Sequence, residues 1–152
     1  MDTVRRAGEA DAPAAGRLLH DFNAEFEEYT PPPEVVAVRV SELLAQGAIA
    51  VVLAGEGPDG IAVISKRPAL FSGGGVALLE ELYVAPALRG AGLGRALLQA
   101  AMEVAREMGA GSIELNTGET DRAARGLYEA TGFTNREGTP DGPRMLFYER
   151  EL

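Results

Sequence analysis

Cysteine is absent from this chain of 152 residues, and histidine occurs once. The lack of cysteine excludes disulfides, thiol nucleophiles and thiolate zinc sites. The single histidine, His20, lies within a helical pattern, and no serine stands in a G-x-S-x-G context, which argues against a Ser-His-Asp hydrolase. We therefore expect an activity that needs neither a resident metal ion nor a cysteine nucleophile.

Long hydrophobic runs and an excess of positive charge are also missing. No stretch of about 18 uncharged apolar residues is present, and the opening sequence MDTVRRAGEADAP lacks the apolar part of a signal peptide. The formal net charge is -9. Nucleic acids and anionic membranes are bound through basic patches, so we expect neither as a partner. These features predict a cytoplasmic protein that attracts cations.

The hydrophobic pattern, with 46% hydrophobic residues, predicts one α+β domain over residues 1–152. Its order is βααβββαβαββ, with one strand-helix-strand unit and antiparallel pairing elsewhere, which gives a mixed, mostly antiparallel central sheet flanked by helices. The predicted strands cover residues 3–7, 48–56, 60–67, 76–86, 112–117, 133–137 and 144–150, and the helices residues 11–28, 35–44, 93–108 and 121–131.

The segment LRGAGLGR, residues 88–95, lies between a predicted strand and a predicted helix. A glycine-rich loop that opens a helix exposes backbone N–H groups with no intrahelical partner, and two arginines add positive charge. The segment therefore predicts an anion site. The alternative is a tight turn whose glycines only relieve backbone strain.

Residues 89–94, RGAGLG, match the [QR]-x-x-G-x-[GA] signature of the GNAT superfamily of N-acyltransferases, and they stand after a strand and before a helix as in that family. Two longer segments, LEELYVAPALRGAGLGRALLQAAMEVARE and DRAARGLYEATGF, also resemble the family. With the order of elements, the resemblance covers residues 3–150.

The resemblance implies acetyl-CoA, or a related acyl-CoA, as the cosubstrate. Its pantetheine arm would pair with the strand edge at Leu82, Tyr83 and Val84, next to a bulge, and a backbone N–H there would face the thioester oxygen. Asn116 would contact pantetheine amides, or is simply a residue at a strand end. Backbone N–H groups would hold the diphosphate at Arg89, Gly90, Ala91, Gly92, Leu93, Gly94 and Arg95.

The resemblance also implies catalytic residues. Tyr128 stands where the family has the tyrosine that protonates the leaving thiolate; the alternative is a buried aromatic residue. Glu80 and Glu81 are candidates for a base or water relay and for an acceptor ligand, in that order, although strand alternation puts them on opposite faces unless a bulge intervenes. Asp121 replaces the family's asparagine, and we interpret it as a helix cap.

The acceptor is the least constrained feature. The stretch DFNAEFEEYTPPPE carries five acids and no base, which with Glu80 and Glu81 favours a small cationic amine such as a polyamine, diamino acid or aminoglycoside. Without cysteine, direct attack in a ternary complex is expected. The alternatives are a protein N-terminus or lysine as acceptor, and a noncatalytic acyl-CoA-binding module. A homodimer through the terminal strands is an expectation by analogy alone.

Overall fold

The computed structural model describes residues 4–152, which form two compact units, residues 4–115 and Asn116–Leu152. The sequence order of helices and strands is as predicted as far as the fourth helix. The first unit comprises β1 (Val4–Arg6), α1 (Ala12–Glu25), α2 (Pro33–Ala45), β2 (Ile49–Ala54), β3 (Gly60–Arg67), β4 (Val76–Val84), α3 (Leu93–Glu107) and β5 (Ser112–Leu115).

The five strands form one sheet in the order β1-β2-β3-β4-β5. Neighbours are antiparallel except β4 and β5, which are parallel because α3 connects them. This mixed, mostly antiparallel sheet confirms the predicted α+β class. β4 ends just before Ala85-Pro86, where the proline has no N–H to continue a ladder.

Helices pack on both faces of the sheet. On one face, α1 and α2 bury Leu18 and Val40 against β2, β3 and Tyr83 of β4. On the other face, α3 buries Leu97 and Val104 of its apolar stripe. α1 and α2 approach each other closely at Gly16, where an added Cβ would lie 2.7 Å from the backbone nitrogen of Ala37.

The start and end of α1 differ in detail from the sequence expectation. The helix begins at Ala12 rather than at Asp11, whose carboxylate binds the Arg5 guanidinium, at 2.8 Å, and the Gly8 N–H rather than a helical N–H. These contacts lower the pKa of Asp11 to about 2. The helix ends at Glu25 rather than Glu28, because Glu27 adopts φ 57, which a right-handed helix cannot accommodate.

The second unit contains α4 (Arg122–Ala130), which Asp121 caps by accepting a hydrogen bond from the Ala124 N–H at 3.1 Å. The two strands predicted at residues 133–137 and 144–150 do not form, so this part of the sequence prediction is wrong. Only an isolated antiparallel bridge, Arg136 to Arg144, forms there. Pro143 interrupts the ladder because it has no N–H, and a two-stranded hairpin on its own is marginal.

No helix in residues 4–152 has both the length and the apolar character that crossing a bilayer requires.

Candidate active site

The segment of residues 88–95, hereafter the glycine turn, presents a row of backbone N–H donors at the start of α3. Gly90 and Gly92 have φ 83 and 89, a left-handed backbone that glycine adopts without strain. Gly92 is the residue before the helix, and the first helical hydrogen bond comes from the Ala96 N–H. Within residues 4–152, the N–H groups of residues 90–95 donate to no other group. The turn therefore offers an anion several donors and the positive end of a helix dipole.

The second feature is the edge of β4. Strand β3 pairs with the whole of β4, whereas β5 pairs with it only from Val76 to Leu79. From Glu80 to Val84, β3 is therefore the one strand partner of β4 among the described residues. An extended ligand can pair with an edge of this kind as an added strand.

A bulge lies at the point where β5 stops. Val63 of β3 pairs with Glu81 and its neighbour Ile64 pairs with Leu79, so that Glu80 is the extra residue. Regular alternation would put Glu80 and Glu81 on opposite faces. Instead, Glu81 shares a face with Val63 of the α1–α2 core, and Glu80 accepts a 2.6 Å hydrogen bond from the Ser65 hydroxyl on that same face. The bulge thus brings both carboxylates to one side of the sheet.

Glu81 lines a cleft of about 190 Å³ beneath the two helices. The other lining residues come from α1, the α1–α2 loop and α2: Leu19, Asn23, Thr30, Pro31, Val36 and Arg39. Burial, and in second place the charge of Glu80, raise the pKa of the Glu81 carboxyl above its ordinary value. A carboxylate with a raised pKa is a stronger base than an exposed one, so Glu81 is suited to accept a proton.

A cluster of four side chains connects the glycine turn to the end of α1: Arg89, Glu25, Tyr83 and Phe22. The Arg89 guanidinium donates to Glu25, at 2.7 Å, and to the Val84 carbonyl, at 2.9 Å, and it lies 5.6 Å above the Tyr83 ring. The Tyr83 hydroxyl donates to the same Glu25 oxygen at 3.1 Å, and Phe22 stacks on the Tyr83 ring. Arg89 lowers the pKa of Glu25. Part of the positive charge of Arg89 is therefore neutralised by Glu25.

Residues 16–133 match the sequence model of the acetyltransferase (GNAT) family, which is more than half of the chain. The chain belongs to the GNAT family. It is therefore an acyltransferase that uses acetyl-CoA, as the sequence resemblance implied.

Individual acetyltransferases match most of the chain. A crystal structure from Arthrobacter sp. FB24, classed as an acetyltransferase, is 48% identical, with a TM-score of 0.90 and coverage of 99% of this chain and 96% of the other. An aminoglycoside N(6')-acetyltransferase type 1 of Stenotrophomonas maltophilia is 30% identical over 99% of this chain and 94% of its own. The Bos taurus thialysine N-epsilon-acetyltransferase is 29% identical over 89% of this chain and 87% of its own.

The predicted GNAT cosubstrate residues fall into two groups. Residues 82–84 and 89–95 lie in the first unit, at the open edge of β4 and in the glycine turn. The N–H groups of residues 90–95 fit a diphosphate, and the open strand edge fits an amide-containing arm. Asn116 is exposed and directly follows β5 in sequence. The contacts of these residues with acetyl-CoA stay predictions.

Tyr128, the predicted acid, lies on α4 in the second unit. Its side chain is buried, and its ring packs edge-on against Phe133 with centroids 5.8 Å apart. Both predicted roles, proton donor and packing residue, are compatible with this environment, and the catalytic role stays a prediction.

Sequence reasoning missed three polar residues of the site: Glu25, Ser65 and Arg39. Glu25 belongs to the acidic stretch recognised in the sequence, but its pairing with Arg89 spans 64 positions and has no local signal. Ser65 becomes relevant only through the bulge. Arg39 is the one basic residue of α2 and lies within the apolar run VVAVRV, and that position is a signal that could have been used.

Proposed function

We propose that the protein transfers the acetyl group of acetyl-CoA to the amine of a small cationic acceptor, by direct attack in a ternary complex. The observation that carries this proposal is the position of Glu81. It lies in a cleft, beside a second carboxylate, at the bulge from which β4 continues with an open edge. A proton acceptor thus adjoins the backbone groups that would hold the acyl donor.

In this proposal the glycine turn and the β4 edge position the cosubstrate. The N–H groups of residues 90–95 bind the diphosphate, and the edge at Leu82, Tyr83 and Val84 pairs with the pantetheine arm. When bound, acetyl-CoA supplies an activated thioester. A backbone N–H of the β4 edge then donates to the acyl oxygen as negative charge develops there.

Glu81 takes the proton that the acceptor ammonium must lose before its nitrogen attacks. Its raised pKa suits it for this, and we assign the second carboxylate, Glu80, to holding the ammonium group. These roles are the reverse of those predicted from the sequence, in which Glu80 was the base or water relay and Glu81 the acceptor ligand. As the new C–N bond forms and the C–S bond breaks, the nitrogen loses its second proton and the sulfur gains one. We assign the donation to sulfur to the Tyr128 hydroxyl, which the proton released by the nitrogen restores.

Charge supports a cationic acceptor. Glu80 and Glu81 lie close enough for the charge of one to raise the pKa of the other, which an ammonium group between them would relieve. Asp21, Glu27 and Glu28 add negative charge at the end of α1 and in the following loop. Two relatives are named for small acceptors with amino groups, an aminoglycoside and thialysine.

The test is acetyl-CoA-dependent release of free thiol with a panel of small amines, against a blank without amine. The protein has no cysteine, so every new thiol comes from CoA. We expect release above the blank with at least one polyamine, diamino acid or aminoglycoside. If no amine gives release above the blank while acetyl-CoA binds, the small-amine proposal is wrong, and a protein acceptor or a binding module takes its place.

A further inference from the structure

Arg39 introduces a positive charge into the cleft that holds Glu81. It projects from α2, and the cleft is lined by both side chains. Most other arginines of the first unit bind a carboxylate, for example Arg5 with Asp11 and Arg67 with Glu114. Arg39 makes no ion pair or side-chain hydrogen bond with any residue from 4 to 152. Its five N–H donors are therefore available to a ligand.

The other polar residues of the cleft use donors to hold the α1–α2 loop. The Asn23 side-chain amide donates to the Tyr29 carbonyl at 3.2 Å, and the Thr30 hydroxyl donates to the Pro31 carbonyl at 2.9 Å. Arg39 is thus the charged donor and Glu81 the charged acceptor of the cleft. A purely cationic substrate would gain from Glu81 but would be repelled by Arg39.

We propose that the acceptor carries a carboxylate besides its reacting amine, and that Arg39 binds this carboxylate while Glu81 receives the amine. The inference rests on the proposed function and narrows its acceptor class to a diamino acid. Arg39 complements the carboxylate, and Glu80 and Glu81 together complement the reacting ammonium group. An acceptor that is cationic and also carries a carboxylate has a second amine, which makes it a diamino acid. A guanidinium also matches a carboxylate in geometry, because it donates two parallel hydrogen bonds.

The size of the cleft agrees with this class. Its volume of about 190 Å³ lies below the roughly 300 Å³ at which pockets for drug-sized ligands begin. A linear amino acid fits such a volume better than a molecule of several sugar rings. Arg39 is thereby a specificity-determining residue rather than a catalytic one.

Two matched pairs of amines test the inference: lysine with cadaverine, and ornithine with putrescine. Each pair differs only in the carboxylate. We expect kcat/KM from thiol release to be about 10-fold or more higher for each amino acid than for its diamine, since a hydrogen bond to a charged group contributes that much. Arg39→Gln should abolish this preference, mainly through KM for the amino acid, and leave the diamines unchanged or improved.

Arg17→Gln is the matched control, because Arg17 is also an exposed helical arginine and does not line the cleft. This variant should keep the preference. If the diamines are used as well as the amino acids, or if Arg39→Gln lowers both equally, the inference is wrong while the proposed function stands. If wild type uses no amine of any class, the proposed function fails and the inference with it.

Discussion

Replacing Glu81 by glutamine keeps the shape of the side chain and removes the proton acceptor. The pKa of Glu81 is raised by burial and by Glu80. Activity of the wild type should therefore decline as pH falls through a pKa above the ordinary glutamate value of about 4.3, because the protonated carboxyl cannot accept a proton. Glu81→Gln should lower kcat and remove this acidic limb of the pH profile.

The size of the loss follows from the neighbouring groups. General-base catalysis contributes about 10²- to 10⁴-fold. Glu80 lies on the same face and remains in the variant, where it accepts from Ser65 and can act through water. We therefore expect a loss at the lower end, about 10²-fold in kcat, with KM for acetyl-CoA unchanged because the proposed contacts with acetyl-CoA are made by backbone groups, which the substitution leaves in place.

Glu81→Gln should lower kcat but raise the stability of the folded protein. A folded-state pKa above the unfolded value means that the folded protein holds the Glu81 proton to higher pH than the unfolded chain. Stability then falls as pH rises between the two values, and the ionised carboxylate opposes folding at neutral pH. Glu81→Gln should therefore raise Tm at neutral pH, and the gain should vanish below the ordinary glutamate pKa.

The assay is thiol release over a pH series, with thermal melting of the same samples. Glu56→Gln is the control, since Glu56 is exposed in the β2–β3 turn and the substitution changes the net charge equally. A Glu81→Gln variant with wild-type kcat and an unaltered acidic limb would refute the role of Glu81 as base. A lower Tm at neutral pH would refute the account of its environment.

Three further substitutions, the first two with a matched control, test the glycine turn, the α1–α2 contact and the start of α1. Gly92→Ala should weaken acetyl-CoA binding measured by calorimetry, whereas Gly47→Ala, which has the same left-handed backbone and open space, should cost a similar amount of stability, about 1 kcal/mol, without affecting binding. Gly16→Ala should destabilise by about 1–3 kcal/mol and raise KM for the amine by separating α1 from α2. Gly126→Ala, in open space on α4, should instead stabilise by about 0.5–1 kcal/mol in the same denaturation assay. Asp11→Asn should lower Tm at neutral pH, and the difference from wild type should disappear as pH falls from about 4 to the folded pKa of about 2, because a lowered pKa stabilises only while the group is ionised.

The fold was predictable where local patterns carried it. The stripe with Leu97 and Val104, the Gly57-Pro58-Asp59-Gly60 turn and the Asp121 cap each depend on residues within a few positions. The end of the chain was not predictable in this way. Residues 133–150 have strand-like composition, but strand formation depends on pairing partners rather than on composition.

The site was predictable in part for the same reason. The glycine turn is a contiguous motif, and its unpaired N–H groups follow from local geometry. The common orientation of Glu80 and Glu81 depends on a one-residue register shift against β3, which the sequence does not encode locally. The placement of Arg39 in the cleft likewise depends on how α2 packs on the sheet. The Glu25–Arg89 ion pair depends on where α1 ends.

The most direct test of the account is a crystal structure of the protein with CoA and lysine. The account predicts the diphosphate on the N–H groups of residues 90–95, the pantetheine arm along Leu82, Tyr83 and Val84, and lysine in the cleft with an amino group at Glu81. A pantetheine arm away from the β4 edge, or an amine bound outside the Glu81 cleft, would contradict it.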